Sequence, residues 1–228
     1  MMLNAESFRP APYLRNGHLQ TILASSPFRA WGKNPLCDAA REMIMTTSGG
    51  IRLLGFYSSQ TSKKSKGLVV LLHGWEGSVA STYILCTGNA LYGRGYDIFR
   101  LNFRDHGDSH HLNQGIFYAV LLEEVFQAVH QLCRSVEQKP VFLTGFSLGG
   151  NFALRIARKM LQTPIANLYH DDPIIPVADF YRLELNHRTN LVIHAFGGHN
   201  GFIDGFFLKS WYEQKLADLF DQIILNGK

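Results

Sequence analysis

Ser147 is the residue whose surroundings most directly promise chemistry. It stands at the centre of Gly145-Phe146-Ser147-Leu148-Gly149, after the apolar run Val141-Phe142-Leu143 and before apolar positions Phe152, Ala153, Ile156 and Ala157 at helical spacing. Strand, Gly-x-Ser-x-Gly turn and helix are the context of a nucleophile elbow, whose sharp turn holds the serine Oγ above the sheet edge. Two glycines let strand and helix approach closely. The helix end offers free N–H groups to a developing oxyanion. A serine hydroxyl is a weak nucleophile at neutral pH, so it needs a base, and the base needs an orienting acid.

On an elbow of this kind the chain order is serine, then acid, then histidine. His170, His187, His194 and His199 follow Ser147. His170 precedes every candidate acid, and His187 falls in a polar turn. His194 lies within an expected strand over 190–195, its side chain directed into the layers. His199 follows that strand through Gly197-Gly198, in a loop leaving a carboxyl end, and is the expected base. Asp171 and Asp172 present two carboxylates in one turn before Pro173. One orients the base, and the other faces solvent or forms an Asx turn. Asp179 and Asp204 are more remote alternatives. For the oxyanion hole, the Leu148 amide is one donor and the Trp75 amide, in His73-Gly74-Trp75-Glu76-Gly77-Ser78, is the other; losing one such donor costs on the order of a hundredfold in rate. His73 precedes the serine and is not expected to act in the chemistry. His106, His110 and His111 near Asp105 and Asp108 match no standard metal spacing, so no metal and no cofactor are expected.

The elements that must carry these residues alternate. Residues 42–47 and 52–58 flank Ser48-Gly49-Gly50 as a hairpin. Residues 67–72 form an unbroken apolar run, the pattern of a parallel strand buried on both faces. A helix over 81–92, a strand over 97–103, a long helix over 116–136, the elbow strand and a helix to about 161 follow. A strand over 190–195 and a closing helix over 207–224 complete the chain, while residues 1–36, with Pro10, Pro12, Pro27 and Pro35, read as irregular. The fold class is therefore α/β, a mostly parallel central sheet with helices on both faces. Its site belongs at the carboxyl ends of the strands.

The chain has 228 residues, 46% apolar and 18% charged, enough for one well-filled core. The formal charge is +4, but Lys and Arg are scattered. The one cluster, Lys63-Lys64-Ser65-Lys66, reads as a solvated loop. A nucleic-acid site needs a basic stripe with interleaved aromatics, and none is present. Cys37, Cys86 and Cys133 are an odd number without metal spacing, so reduced thiols and a cytoplasmic location are expected. Asn4, Glu6 and Arg9 stand where a signal peptide needs an apolar core. No run approaches the ~18 apolar residues of a membrane span. No basic amphipathic helix argues for contact with a lipid surface.

Five segments together resemble the α/β-hydrolase superfamily, and within it the YheT-like branch (the AB hydrolase 4 family). They are Arg15-Asn16-Gly17-His18-Leu19-Gln20-Thr21-Ile22, His73-Gly74-Trp75-Glu76-Gly77-Ser78, Gly145-Phe146-Ser147-Leu148-Gly149-Gly150-Asn151, Asp171-Asp172-Pro173 and Gly197-Gly198-His199-Asn200-Gly201-Phe202. The resemblance implies a single α/β-hydrolase domain over 1–228. It also implies an enzyme cleaving carboxylic esters, either short-chain esters or acylglycerol and other lipid esters, without a cofactor. A lipid substrate would bring peripheral membrane contact. The triad carries over to Ser147, Asp172 and His199. In related hydrolases the acid is followed four residues later by proline, as Asp172 is by Pro176. Asn200 departs from the small apolar residue expected there. Acyl transfer to an alcohol other than water would use the same residues, and a non-catalytic binding protein on the same fold is the rival from another class.

The larger departure is length. Ser147 and Asp172 are 25 positions apart, and the elbow helix uses most of them. A family member fits a further strand, a helical cap and another strand there, whereas the 27 positions from Asp172 to His199 are ordinary. Either a strand and cap segment is missing near His170 and Asp171, or the natural chain has no cap. A buried parallel strand is not dropped without exposing its neighbours. A missing segment predicts His170 and Asp171 Cα atoms much further apart than ~3.8 Å. Without a cap, substrate selection rests on Trp75, Phe146 and Phe202, and the site is open.

Overall fold

A computed structural model describes residues 7–61, 64–136, 139–160, 192, 194–205 and 207–226. The apolar run becomes β3 (Leu68–Leu72), every residue of which is buried. Among the described residues it lies inside a five-stranded sheet with β1 (Ala40–Thr46), β2 (Arg52–Ser58), β4 (Asp97–Leu101) and β5 (Val141–Gly145), in the order β1-β2-β4-β3-β5. The β1–β2 hairpin and the β2–β4 pair are antiparallel, and β3 runs parallel to both β4 and β5.

The alternation of strand side chains divides the core in two. Leu68, Val70 and Leu72 face one layer, with α4 (Leu122–Ser135) and α5 (Leu148–Lys159). Val69 and Leu71 face the other, with α3 (Thr82–Gly93) and the closing helix. Each such side chain contributes about 1.5–3 kcal/mol by leaving water. Helix α4 presents Val125, Ala128, Val129 and Leu132 to the sheet, one stripe at helical spacing.

Register positions the site. Leu72 pairs with Gly145 across β3 and β5. The two strands therefore end together, and residues 73–75 leave the sheet beside residues 146–148. The Phe146 amide still donates to the Leu72 carbonyl, at 3.1 Å.

Four expectations are corrected. The long helix does not start at residue 116 but at Leu122. Residues 116–121 turn instead, Leu121 donating to the Tyr118 carbonyl, so that buried Phe117 stacks 5.3 Å from Phe103. Ile116, Tyr118 and Val120 stay exposed, so their apolar character does not mark a helix face. The closing helix, α6 (Trp211–Asn226), begins after a small hairpin of β6 (Ile203–Asp204) and β7 (Lys209–Ser210). Gly205 and Leu208 take positive φ there, which no helix accommodates. The segment read as irregular is ordered into α1 (Gly17–Ala24), α2 (Pro35–Asp38) and two 3-10 turns. Asn16 starts α1 by accepting the Leu19 amide on its side chain. Of the strand expected over 190–195, the described residues 192, 194 and 195 are in no strand. Residues 170 and 171, where a missing cap segment was expected, lie outside the described residues.

Candidate active site

At the end of β5 the backbone of Ser147 takes φ 53° and ψ −118°, and α5 begins at the next residue. A non-glycine residue there stores roughly 1–3 kcal/mol of strain and persists only where its surroundings over-determine it. They do so here. The Gly149 amide donates to the Phe146 carbonyl at 2.8 Å, and the Asn151 amide to the Ser147 carbonyl at 3.1 Å. A Cβ on Gly145 would lie 2.1 Å from the Gly149 carbonyl oxygen, and one on Gly149 2.3 Å from that of Leu72. Both glycines are therefore required by contact between strand, turn and helix.

The neighbouring loop closes against the same point, since a Cβ on Gly74 would lie 3.2 Å from the Ser147 Cβ. The Gly74 amide donates to the Tyr83 hydroxyl at 3.0 Å, and the Gly77 amide to the Gly74 carbonyl at 3.1 Å. The Val79 amide is held by Asn102 Oδ1 at 2.8 Å. Among the described residues the amides of Trp75 and Leu148 have no backbone acceptor. Amides so placed are able to donate to an oxyanion. Trp75 is 62% exposed. Burial raises the Tyr83 hydroxyl pKa above its ordinary value, so it stays protonated.

His73 is buried with both ring nitrogens engaged. Nδ1 is 2.7 Å from the Gly74 carbonyl oxygen, and Nε2 accepts the Phe103 amide at 3.1 Å. Those partners assign the proton to Nδ1. Burial lowers the pKa to about 4, the Gly74 carbonyl pulling the other way. A neutral ring so held ties β3 to β4 and leaves no nitrogen for a hydroxyl. His106 bonds through Nδ1 to the Arg104 carbonyl oxygen, and His110 pairs with Asp105. Among the described residues no group of His, Cys, Asp and Glu could hold a metal ion.

The loop carrying His199 has an unusual backbone. Gly198, Asn200 and Phe202 have φ of 64°, 57° and 52°. The Phe202 amide closes the loop on the Gly197 carbonyl at 2.9 Å. Residues 197, 198 and 201–203 are buried while His199 and Asn200 are half-buried, so the loop presents its middle. An aromatic path joins it to the elbow: Phe202 lies 6.0 Å from Tyr212, and Tyr212 lies 5.6 Å from Phe146. His194 is in no strand, contrary to expectation, and is half-buried, its Nδ1 accepting the Phe8 amide at 3.0 Å and its pKa lowered by burial.

Ser147, Trp75 and Leu148 thus stand together at the ends of β3 and β5. Phe146 and Phe202, expected to select substrate, are both buried, packed against Tyr83 and Phe8 respectively. Asp204 accepts the Gly205 amide within its own turn. Asp171, Asp172, His170, His187 and Asp179 lie outside the described residues. Tyr83, Asn102, Gln20 and Thr21 were missed by sequence reasoning. For the last two the segment 15–22 was the available signal, though nothing local gave it a task.

The alpha/beta hydrolase fold family model matches residues 67–217, and the chain belongs to that family. Among solved structures it is similar to a Xanthomonas campestris a/b serine hydrolase without lid. That match has 17% identity and TM-score 0.57, covering 82% of this chain and 94% of that one. It is also similar to a Pyrococcus furiosus esterase, at 18% identity and TM-score 0.62, covering 84% and 93%. A cold-adapted esterase from an Arctic intertidal metagenomic library gives 15% identity and TM-score 0.56, covering 82% and 93%. No match is found among curated proteins. No helix among the described residues is long and apolar enough to cross a membrane.

Proposed function

We propose that this chain is a serine hydrolase of carboxylic esters, related to the YheT-like branch, with Ser147, Asp172 and His199 as its triad. Ser147 attacks the ester carbonyl while His199 takes the hydroxyl proton, and the Trp75 and Leu148 amides receive the oxyanion. The tetrahedral adduct collapses, the C–O bond to the alcohol breaks, and His199 returns the proton to the leaving oxygen. Water, deprotonated by His199, then cleaves the acyl-enzyme and regenerates Ser147. The observation that carries this reading is the positive φ of Ser147 at a strand-to-helix turn, with glycines on both sides that admit no Cβ. Such strain clusters where function requires it.

The substrate is a short-chain ester or an acylglycerol or other lipid ester, met at an open site flanked by exposed Trp75. The lidless Xanthomonas campestris hydrolase supports an uncapped arrangement in the chain as it stands. The free thiols Cys37, Cys86 and Cys133 support a reducing, cytoplasmic compartment. A fluorophosphonate probe tests the assignment. The wild-type protein labels at Ser147 and hydrolyses p-nitrophenyl esters, with a chain-length profile that names the acyl class. Absence of labelling in folded protein favours a binding protein, and acyl transfer to added alcohol in preference to water favours a transferase.

A further inference from the structure

The base loop is held by a helix almost the whole chain away. The His199 amide donates to Thr21 Oγ1 at 2.9 Å, and that hydroxyl donates to the Gly17 carbonyl at 2.8 Å. Gln20, fully buried, spans the loop's other end. Its Nε2 donates to the carbonyls of Leu14 and Ile203 at 2.7 and 2.9 Å, and its Oε1 accepts the Ile203 amide at 2.6 Å. A Cβ on Gly198 would lie 2.5 Å from the Gly17 carbonyl oxygen, and one on Gly201 2.9 Å from that of Gln20. Helix α1 therefore grips the loop at residues 199 and 203 and packs on the glycines between.

Physical chemistry says what such a grip is for. Asn200 and Phe202 both hold positive φ, a conformation that costs about 1–3 kcal/mol each and reverts unless outside contacts oppose it. Phe202 is fixed by its aromatic neighbours Phe8 and Trp211. The backbone of the histidine itself is fixed by Thr21.

We propose that α1 is a positioning element for the catalytic base, with Thr21 setting the backbone of His199 and Gln20 anchoring the loop at Ile203. The proposal rests on the reading of His199 as the base. Neither residue touches the reacting atoms. A misplacement on the ångström scale remote from the chemistry costs up to about a hundredfold in rate, and that is the effect available to α1.

The test uses the full chain carrying Thr21→Val, which keeps shape and removes the hydroxyl, and Thr21→Ser, which restores it. Gln20→Met repeats the experiment at Ile203. Three quantities are read: kcat and KM on p-nitrophenyl butyrate, the rate of fluorophosphonate labelling at Ser147, and amide hydrogen exchange over residues 197–203. The expected result for Thr21→Val is a roughly tenfold to hundredfold fall in kcat, with KM within about threefold, slower labelling and faster exchange in the loop. Thr21→Ser recovers all of these. Wild-type kcat with unchanged exchange in Thr21→Val and Gln20→Met overturns the proposal. So does a kcat loss that Thr21→Ser fails to rescue. If wild-type protein neither labels nor hydrolyses esters, the serine-hydrolase reading fails. Loop exchange then still decides the grip by itself: faster exchange in Thr21→Val upholds it, and unchanged exchange removes it.

Discussion

The elbow at Ser147 and the loop at His199 solve one problem, a strained backbone held still, by opposite means. Everything that fixes the elbow lies in adjoining strands or within a few residues: Gly145, Gly149, the Leu72 carbonyl and the first amides of α5. Besides its own Gly197–Phe202 closure and the adjoining Ser210 and Trp211, what fixes the loop comes from the other end of the chain, through Thr21, Gln20 and Phe8. The elbow is made by sterics among neighbours, and the loop by imported hydrogen bonds and aromatic packing. With Ser147 and His199 in the roles proposed, such a site can lose the geometry of its base without disturbing its nucleophile.

The comparison can be broken at several points. Ser147→Ala removes the nucleophile while leaving both backbones intact. Fluorophosphonate labelling disappears and kcat falls by about 10⁴–10⁶, with an unfolding midpoint at or above wild type because the side chain is small. Gly145→Ala attacks the elbow's own construction. With a backbone oxygen 2.1 Å from the new Cβ, its loss of stability in urea unfolding exceeds the ~1–3 kcal/mol usual for overpacking. If the variant folds normally, the elbow is less tightly enforced than its contacts indicate.

Arg29→Ala strikes the long-range side. The Arg29 side chain is 2% exposed, pairs with Glu213 at 2.7 Å and donates to the carbonyls of Leu208 and Ala24. Burial pushes the Glu213 carboxyl above its usual range while Arg29 opposes that. Removing the guanidinium costs about 3 kcal/mol in denaturant unfolding, and loop exchange over 197–203 rises with it. A cost near zero would mean that the N-terminal segment is not anchored through this pair.

The gentlest perturbation is pH acting on His73. Its folded pKa, about 4 against an ordinary 6.5, is depressed, so the unfolded state takes up the proton first. This contribution is therefore complete above pH 6.5 and is lost as pH falls through 6.5 towards 4, reaching ~3 kcal/mol at 1.36 kcal/mol per unit. Unfolding free energies in that window should lose this slope in His73→Gln. An unchanged slope assigns the acid sensitivity to other groups.

Legibility in the sequence follows the same division. The elbow, the buried strand β3 and the β1–β2 hairpin were readable because their determinants are adjacent residues with short periods. Helix α4 was placed correctly by Val125, Ala128, Val129 and Leu132. Its start was misjudged because Phe117 is buried singly from a turn, which periodicity does not distinguish from a helix face. Residues 1–36 read as irregular because prolines interrupt every pattern. The one buried residue at the centre of α1's contact is a glutamine, and a hydrophobic pattern is blind to it. Nothing near Thr21 announces that its hydroxyl faces an amide 178 positions away. Phe146 and Phe202 are expected to select substrate in an uncapped chain, but both are buried among aromatic neighbours that no local pattern announces.

The ties between α1 and the far end of the chain bear on how shortened versions of this protein are judged. All five described strands of the main sheet lie beyond residue 39, and the family model matches within residues 67–217. A gene trimmed to begin at β1 keeps those five strands and the elbow, yet discards Gln20, Thr21 and Arg29 at one stroke. Inert material from such a gene would pass for a natural pseudoenzyme, when the cut had taken away the element proposed to aim the His199 imidazole.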